Sequence, residues 1–266
     1  MWPVLFWLPA ELPFIGGRPV FTYGVLLGLA YLVAWWVALA RVPSELESRA
    51  RVAYLLTGVS GWLGARWLGP TVDHAAEPLV GGTLWPGILA SFVTLALASR
   101  ALRLPRAVLI DAACLGAAVG IGVGRVGCFL HGCDYGVASA AWWAVEWPTW
   151  SGEFGGAATD STATLGRLPV QLLESLAALG LAGLITRVTR PGAATWVFFV
   201  GYAFVRLFLE RLRGDPSAAT QPLGLGFTVG QMTSLGVLLV CGLALTRRYI
   251  GGRRAVHRAG SVDKVD

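Results

Sequence analysis

The chain has 266 residues, enough for one large or two small domains, but 55% of them are hydrophobic and only 14% are charged. A water-soluble protein carries about 25% charged residues to solvate its surface, so a mean hydropathy of +0.64 and 12 Trp assign much of this surface to lipid. The formal charge of +6 does not point to nucleic acid, because the arginines cluster between apolar runs instead of forming one basic face.

In chain order, the stretch Met1 to Phe14 carries Trp2, Phe6, Trp7 and Phe14 and reads as lying in a membrane interface. No Lys or Arg precedes Arg18, so it lacks the basic flank of a secretory signal and is not expected to be removed. A spanning helix needs about 20 mainly apolar residues. Seven such windows follow, at about 19–40, 52–69, 84–101, 107–126, 169–186, 194–212 and 225–246. They define an all-α membrane protein with seven transmembrane helices in one domain.

The charges set its orientation. Arg41, Arg49 and Arg51 separate the first two windows, Arg100, Arg103 and Arg106 the third and fourth, and Arg187 and Arg190 the fifth and sixth. Arg247, Arg248, Arg253, Arg254, Arg258 and Lys264 follow the last, whereas the other connections hold Asp73, His74, Glu77, Asp134, Glu146, Glu153 and Asp160. Positive charge is retained in the cytoplasm, so the N-terminus is periplasmic and the C-terminus cytoplasmic in a bacterial inner membrane. Residues 127–168 form a periplasmic loop region, within which 151–164 read as an exposed loop, and 251–266 form a polar, mobile cytoplasmic tail. Four Trp between Trp142 and Trp150 form either an aromatic belt or a lid over substrate.

Ionisable residues inside spans are costly and so draw attention. Asp111 and Arg66 stand near span ends, where capping or snorkelling explains Asp111, while Arg66 stays undecided between that and function. Arg206 and Glu210 are four residues apart, hence on one helix face, either as a structural ion pair or as part of a site. With Arg211 and Arg213 beyond them, a positive strip leads inward and suits an anionic lipid headgroup. Glu174 is a further suspect. Between Gly116 and Gly136, the glycines at 116, 120 and 124 allow close helix packing. Packing does not explain Arg125, Cys128, His131, Cys133 and Asp134 beyond them. Glycines 127, 132 and 136 are expected to break the helix there and expose N–H groups beside Arg125, a combination that suits a phosphate.

The run Gly124-Arg125-Val126-Gly127-Cys128-Phe129-Leu130-His131-Gly132-Cys133-Asp134-Tyr135-Gly136 resembles the signature G-R-x-G-N-F-x-N-x-E-x-x-G of the prolipoprotein diacylglyceryl transferases. Tyr23-Gly24, the segment Leu168 to Glu174, the helix carrying Arg206, Glu210 and Arg213, and Gly230-Gln231 are similar to further segments of that family, in order along most of the chain. The resemblance implies an enzyme that moves the diacylglyceryl group of phosphatidylglycerol to the lipobox cysteine thiol of prolipoproteins, releasing glycerol 1-phosphate. Its partners are then phosphatidylglycerol, prolipoprotein lipobox peptides and membrane lipids, with no cofactor and no nucleic acid.

On this resemblance Arg125 and Arg206 converge on the phosphate, Arg213 guides it, and Tyr23 and Gly136 contact substrate. Glu210 orients Arg206 or serves as base. The family's two Asn and its Glu are replaced here by Cys128, His131 and Cys133, and its His-Gly-Gly segment by Trp85-Pro86-Gly87. Either His131 or Asp134 takes over deprotonation of the thiol, or the chain is a relative with the same lipid-binding bundle and a different acceptor or no transferase activity. A transporter fits less well, because the charged residues gather in the outer half of the bundle. Cys128 and Cys133 allow a disulfide, which requires the helix to end between them, or two thiols. With His131 and Asp134 they also offer four zinc ligands, but at a spacing that matches no closed zinc site, so no metal is expected.

Overall fold

The structure is a computed structural model that describes residues 4–9, 17, 19–67, 84–146, 166–214 and 226–262, without the side chains of 66, 67, 84–86, 229 and 248–262. It is mostly helical. A two-stranded antiparallel hairpin, β1 (Val4–Trp7) with β2 (Pro19–Phe21), precedes α1 (Thr22–Leu39), α2 (Glu47–Trp67), α3 (Leu84–Ala101), α4 (Arg106–His131), α5 (Val170–Thr186), α6 (Ala193–Leu209) and α7 (Val229–Val262). Among the described residues, four helical segments are long and apolar enough to cross a membrane: Thr22–Leu39, Arg106–His131, Ala193–Leu212 and Gly230–Arg247. The apolar parts of α3 and α5 are shorter, and α2 opens on Glu47, Arg49 and Arg51. Asp73, His74, Glu77, Trp147, Trp150, Glu153, Asp160, the loop 151–164 and Lys264 lie outside the described residues, as does the side chain of Arg66.

The chain divides into two compact units, one of Met1–His131 with Ser175–Phe198, the other of Gly132–Glu174 with Phe199–Asp266. In the first, α4 lies on α1 along a stripe of small residues. A Cβ on Gly116 would fall 2.3 Å from the Ala34 carbonyl oxygen, and one on Gly120 would fall 3.0 Å from the Ala34 Cβ, so backbones meet where side chains elsewhere keep helices apart. Between α2 and α3, Gly61 and Gly87 play the same part, with a Cβ on Gly87 only 2.8 Å from the Gly61 carbonyl. At one end of these four helices the packing is larger, around Tyr54, Leu95, Leu104 and Leu109. There the Tyr54 hydroxyl donates to the Leu109 carbonyl at 2.9 Å, and the Tyr31 hydroxyl donates to the Tyr54 carbonyl at 3.0 Å. Each phenol thereby keeps a partner away from water.

Asp111 is a cap. Its carboxylate accepts the N–H groups of Gly192 and Thr195, at 2.5 and 2.9 Å, together with the Thr195 hydroxyl. Those donors sit at the start of α6, where N–H groups lack helical partners and the helix dipole favours an anion. The hairpin leaves Leu5, Phe6 and Trp7 about half exposed, an apolar surface within the segment assigned to an interface.

One expectation about chain breaks is corrected. Gly127 does not end the helix: α4 continues to His131, because Gly127 fits against Leu26, 3.1 Å from where its Cβ would be. The break comes at Gly132, whose φ of +86° suits the residue that terminates a helix in the left-handed region. The last window, 225–246, falls largely within the longer α7, which runs on as helix to Val262, since the Arg and Ala beyond Thr246 are good helix formers that carry it past Gly251 and Gly252.

The second unit holds the segment after α4. Gly136 and Val137 donate backbone hydrogen bonds to Leu168 and Leu212, Gly214 donates to Tyr135, and Val145 and Arg167 exchange a pair. Trp142, 95% exposed, stands at a turn closed by the Ala144 N–H and the Ala141 carbonyl.

The glycine stripe predicts a contrast. Gly116→Ala should cost about 1–3 kcal/mol in unfolding measured in detergent, through overpacking. Gly180→Ala, where a Cβ would meet nothing within 4 Å, should be neutral or stabilising by up to about 1 kcal/mol through helix propensity.

Candidate active site

In the second unit five ionised side chains alternate in sign. Arg206 donates through Nη1 to Glu174 at 3.0 Å and through Nη2 to Glu210 at 2.7 Å. Arg213 continues the chain, with Nη1 3.6 Å from Glu210 and Nη2 2.7 Å from Asp134. Tyr202 donates its hydroxyl to the other Glu174 oxygen at 2.6 Å. Glu174, Arg206 and Glu210 are all buried, and breaking such a pair costs several kcal/mol because the surviving charge stays desolvated. Only the Asp134 end opens outward, its side chain 30% exposed.

Local backbone chemistry places each member. Tyr202 and Arg206 are one turn apart on α6, which turns 3₁₀ at Glu210–Leu212 and becomes extended at Arg213. Asp134 has φ +55°, a left-handed conformation that Asp tolerates better than most residues. Glu210 meets the start of α7, where a Cβ on Gly230 would lie 2.6 Å from the carboxylate. Thr228 and Gln231 form a capping box there: the Gln231 N–H donates to the Thr228 hydroxyl oxygen and the Thr228 N–H to Gln231 Oε1, each at 3.2 Å. The Thr228 hydroxyl then donates to Glu210 at 3.1 Å, so the helix start stabilises this carboxylate. Arg167, buried, lies over the Tyr135 ring at 4.4 Å.

The first unit collects Tyr23, Arg125 and His131. Arg125 and His131 are buried on the last two turns of α4, and the His131 ring packs against Tyr23 at 5.9 Å and edge-on to Phe21 at 6.1 Å. Arg125 Nη1 donates to the Cys128 sulfur at 3.8 Å. All four cysteines are thiols.

The residues named from sequence therefore divide: Tyr23, Arg125 and His131 belong to one unit, and Asp134, Gly136, Arg206, Glu210 and Arg213 to the other. The expected positive strip on α6 is corrected to an alternating chain, because Asp134 and Glu174, distant in sequence, supply the intervening anions. Gly136 is packed against Leu168 and Val170, and its N–H is taken by the Leu168 carbonyl at 2.9 Å. Glu174, Tyr202 and Thr228 were absent from the expected site. An ionisable residue in the fifth window marked Glu174, and the T-x-x-Q spacing marked Thr228, whereas nothing local marked Tyr202 as its partner.

An apolar helical protein with a largely buried ion chain of alternating sign is a membrane protein of specialised chemistry rather than a passive span. The sequence model of the prolipoprotein diacylglyceryl transferases matches residues 11–247, and the chain belongs to that family of transferases. It is 31% identical to the phosphatidylglycerol–prolipoprotein diacylglyceryl transferase of Beijerinckia indica, over 92% of this chain and 93% of that one. Against the enzymes of the same name from Thermus thermophilus and Allorhizobium ampelinum it is 31% and 27% identical, over 85% and 90% of its length and 93% and 89% of theirs.

Replacing Arg206 with Gln strands Glu174 and Glu210 and is expected to cost about 3–5 kcal/mol in thermal unfolding. Tyr202→Phe, which removes one hydrogen bond, should cost about 1 kcal/mol. Arg206→Lys should not restore the loss, since one ammonium cannot reproduce the two-armed geometry.

Proposed function

We propose that this transferase moves the diacylglyceryl group of phosphatidylglycerol to the cysteine thiol of a prolipoprotein lipobox. It does so as a seven-span protein of the bacterial inner membrane, with its N-terminus periplasmic and its C-terminus cytoplasmic. The family match over residues 11–247 carries the reaction, and the burial of a guanidinium and an imidazole together at the end of α4 supports its mechanism. The thiol passes its proton to a base, sulfur bonds to the terminal glycerol carbon of the diacylglyceryl group, and the bond from that carbon to the phosphate oxygen breaks. The electron pair leaves with glycerol 1-phosphate, which gains a negative charge. A cation held at that oxygen stabilises the transition state more than the ground state. Arg125 takes this role, and the Cys128 sulfur helps to fix its orientation.

His131 is the better base of the two expected from sequence. The Asp134 carboxylate is already engaged by Arg213 at 2.7 Å. The imidazole stands between Phe21 and Tyr23 at the end of α4, and imidazole is the side chain that ordinarily exchanges a proton near neutral pH. Arg206, with charges on both sides, contributes by holding Glu174 and Glu210 in place. A second reading rests on Cys128, His131 and Cys133 standing where the family signature has Asn, Asn and Glu. In that reading the chain is a relative with another acceptor.

Purified protein with phosphatidylglycerol and a lipobox peptide should transfer the lipid, and the gene should rescue a strain depleted of its own transferase. Arg125→Ala should lower turnover by about 10²–10³-fold and His131→Ala by at least about 10²-fold. Asp134→Asn should leave turnover within about tenfold of the parent; the reverse order would make Asp134 the base. No transfer and no rescue by folded protein would favour the relative with another acceptor.

A further inference from the structure

Gln171 is 1% exposed, yet its side chain is only half used. Its Nε2 donates to the Cys133 carbonyl at 2.7 Å, while its Oε1 has no hydrogen-bond partner among the described residues. The amide cannot be turned over, because its oxygen would then stand 2.7 Å from the Cys133 carbonyl oxygen, acceptor against acceptor, so the atom facing away from it is an acceptor. A buried acceptor without a donor is costly, and such groups in folded proteins are few and call for an explanation.

The position of this acceptor is informative. Cys133 precedes Asp134, the open end of the ion chain, and Glu174 lies one turn further along α5 on the same face as Gln171. The amide therefore borders the ion chain from Asp134 to Glu174 without belonging to it. Its neighbours' acceptors are committed: both Glu174 oxygens are engaged by Tyr202 and Arg206, and one Asp134 oxygen by Arg213. A donor arriving here finds one neutral acceptor. An ammonium would need several, with three N–H groups to satisfy, whereas a hydroxyl needs one.

We propose that Gln171 accepts a hydrogen bond from a hydroxyl of a glycerol headgroup, and so is the residue by which the site recognises a polyol-bearing anionic phospholipid. This rests on the transferase reading above, in which phosphatidylglycerol is the donor. Gln171 reads the alcohol attached beyond the phosphate, the part that distinguishes this lipid from others of equal charge.

The test compares phosphatidylglycerol with phosphatidylpropanol, which has the same charge and acyl chains but lacks both headgroup hydroxyls. With the full chain in nanodiscs, kcat/KM for transfer to a lipobox peptide should favour phosphatidylglycerol by at least about tenfold, as a site built to bond a hydroxyl rejects an analogue without one. In Gln171→Met, of similar shape but with no amide, the ratio should fall to about one. Gln171→Glu keeps acceptor oxygens and gives up the donor to Cys133, so it should retain the preference even with lower turnover. A residue that merely positions the turn would slow both lipids equally and leave the ratio unchanged in every variant.

Competition of the two lipids for the protein, followed by native mass spectrometry, gives the same comparison without turnover. A protein that transfers neither lipid would refute the transferase reading, while this competition would still decide the role of Gln171. Equal use or equal binding of both lipids by the parent, or a preference that survives Gln171→Met, would overturn the proposal.

Discussion

The charge on Arg206 has to be neutralised where it stands, and much of the second unit is arranged around that requirement. Water cannot solvate a guanidinium that is 6% exposed, so Glu174 on one side and Glu210 on the other do so, at 3.0 and 2.7 Å. Two carboxylates on one cation leave a negative surplus, which Arg213 offsets, and Arg213 in turn takes Asp134 as a second partner. Each addition draws in another element: α5 through Glu174, the 3₁₀ turn through Glu210, the turn after α4 through Asp134, and the start of α7 through Thr228. Removing one link leaves a desolvated charge, so the segments hold one another in register.

The first unit is organised by a different constraint, contact between backbones. Along α4 the same helix serves two purposes in succession. Its early and middle turns carry Asp111, which caps α6, and glycines, which admit α1; its last two turns carry Arg125, Cys128 and His131. Packing without side chains fixes the helix, and the fixed helix presents the chemistry.

How much of this was legible in the sequence depended on range. Hydropathy located the apolar segments that became α1 to α7, because a run of apolar residues needs no knowledge of its neighbours. The spacing of glycines 116, 120 and 124 was likewise a local pattern with one physical meaning, whereas Asp111, read as capping or snorkelling, caps a helix start 81 residues away that no local pattern reveals. The continuation of α4 through Gly127 was not legible, since a glycine that breaks a helix in isolation is tolerated when Leu26 fills the space beside it. The positive strip on α6 misled for a similar reason. Its counter-ions come from 32 and 79 residues away along the chain, and no periodicity in α6 announces them. The unsatisfied oxygen of Gln171 is invisible at the level of residue type, as it emerges only when every other donor has been assigned.

The capping box at Thr228 and Gln231 joins two duties in one side chain. Because Thr228 both starts α7 and touches Glu210, the first turn of that helix and a carboxylate of the ion chain share an anchor. Fraying of the helix start would withdraw the hydroxyl from Glu210, so order at this end of α7 and the setting of that carboxylate rise and fall together.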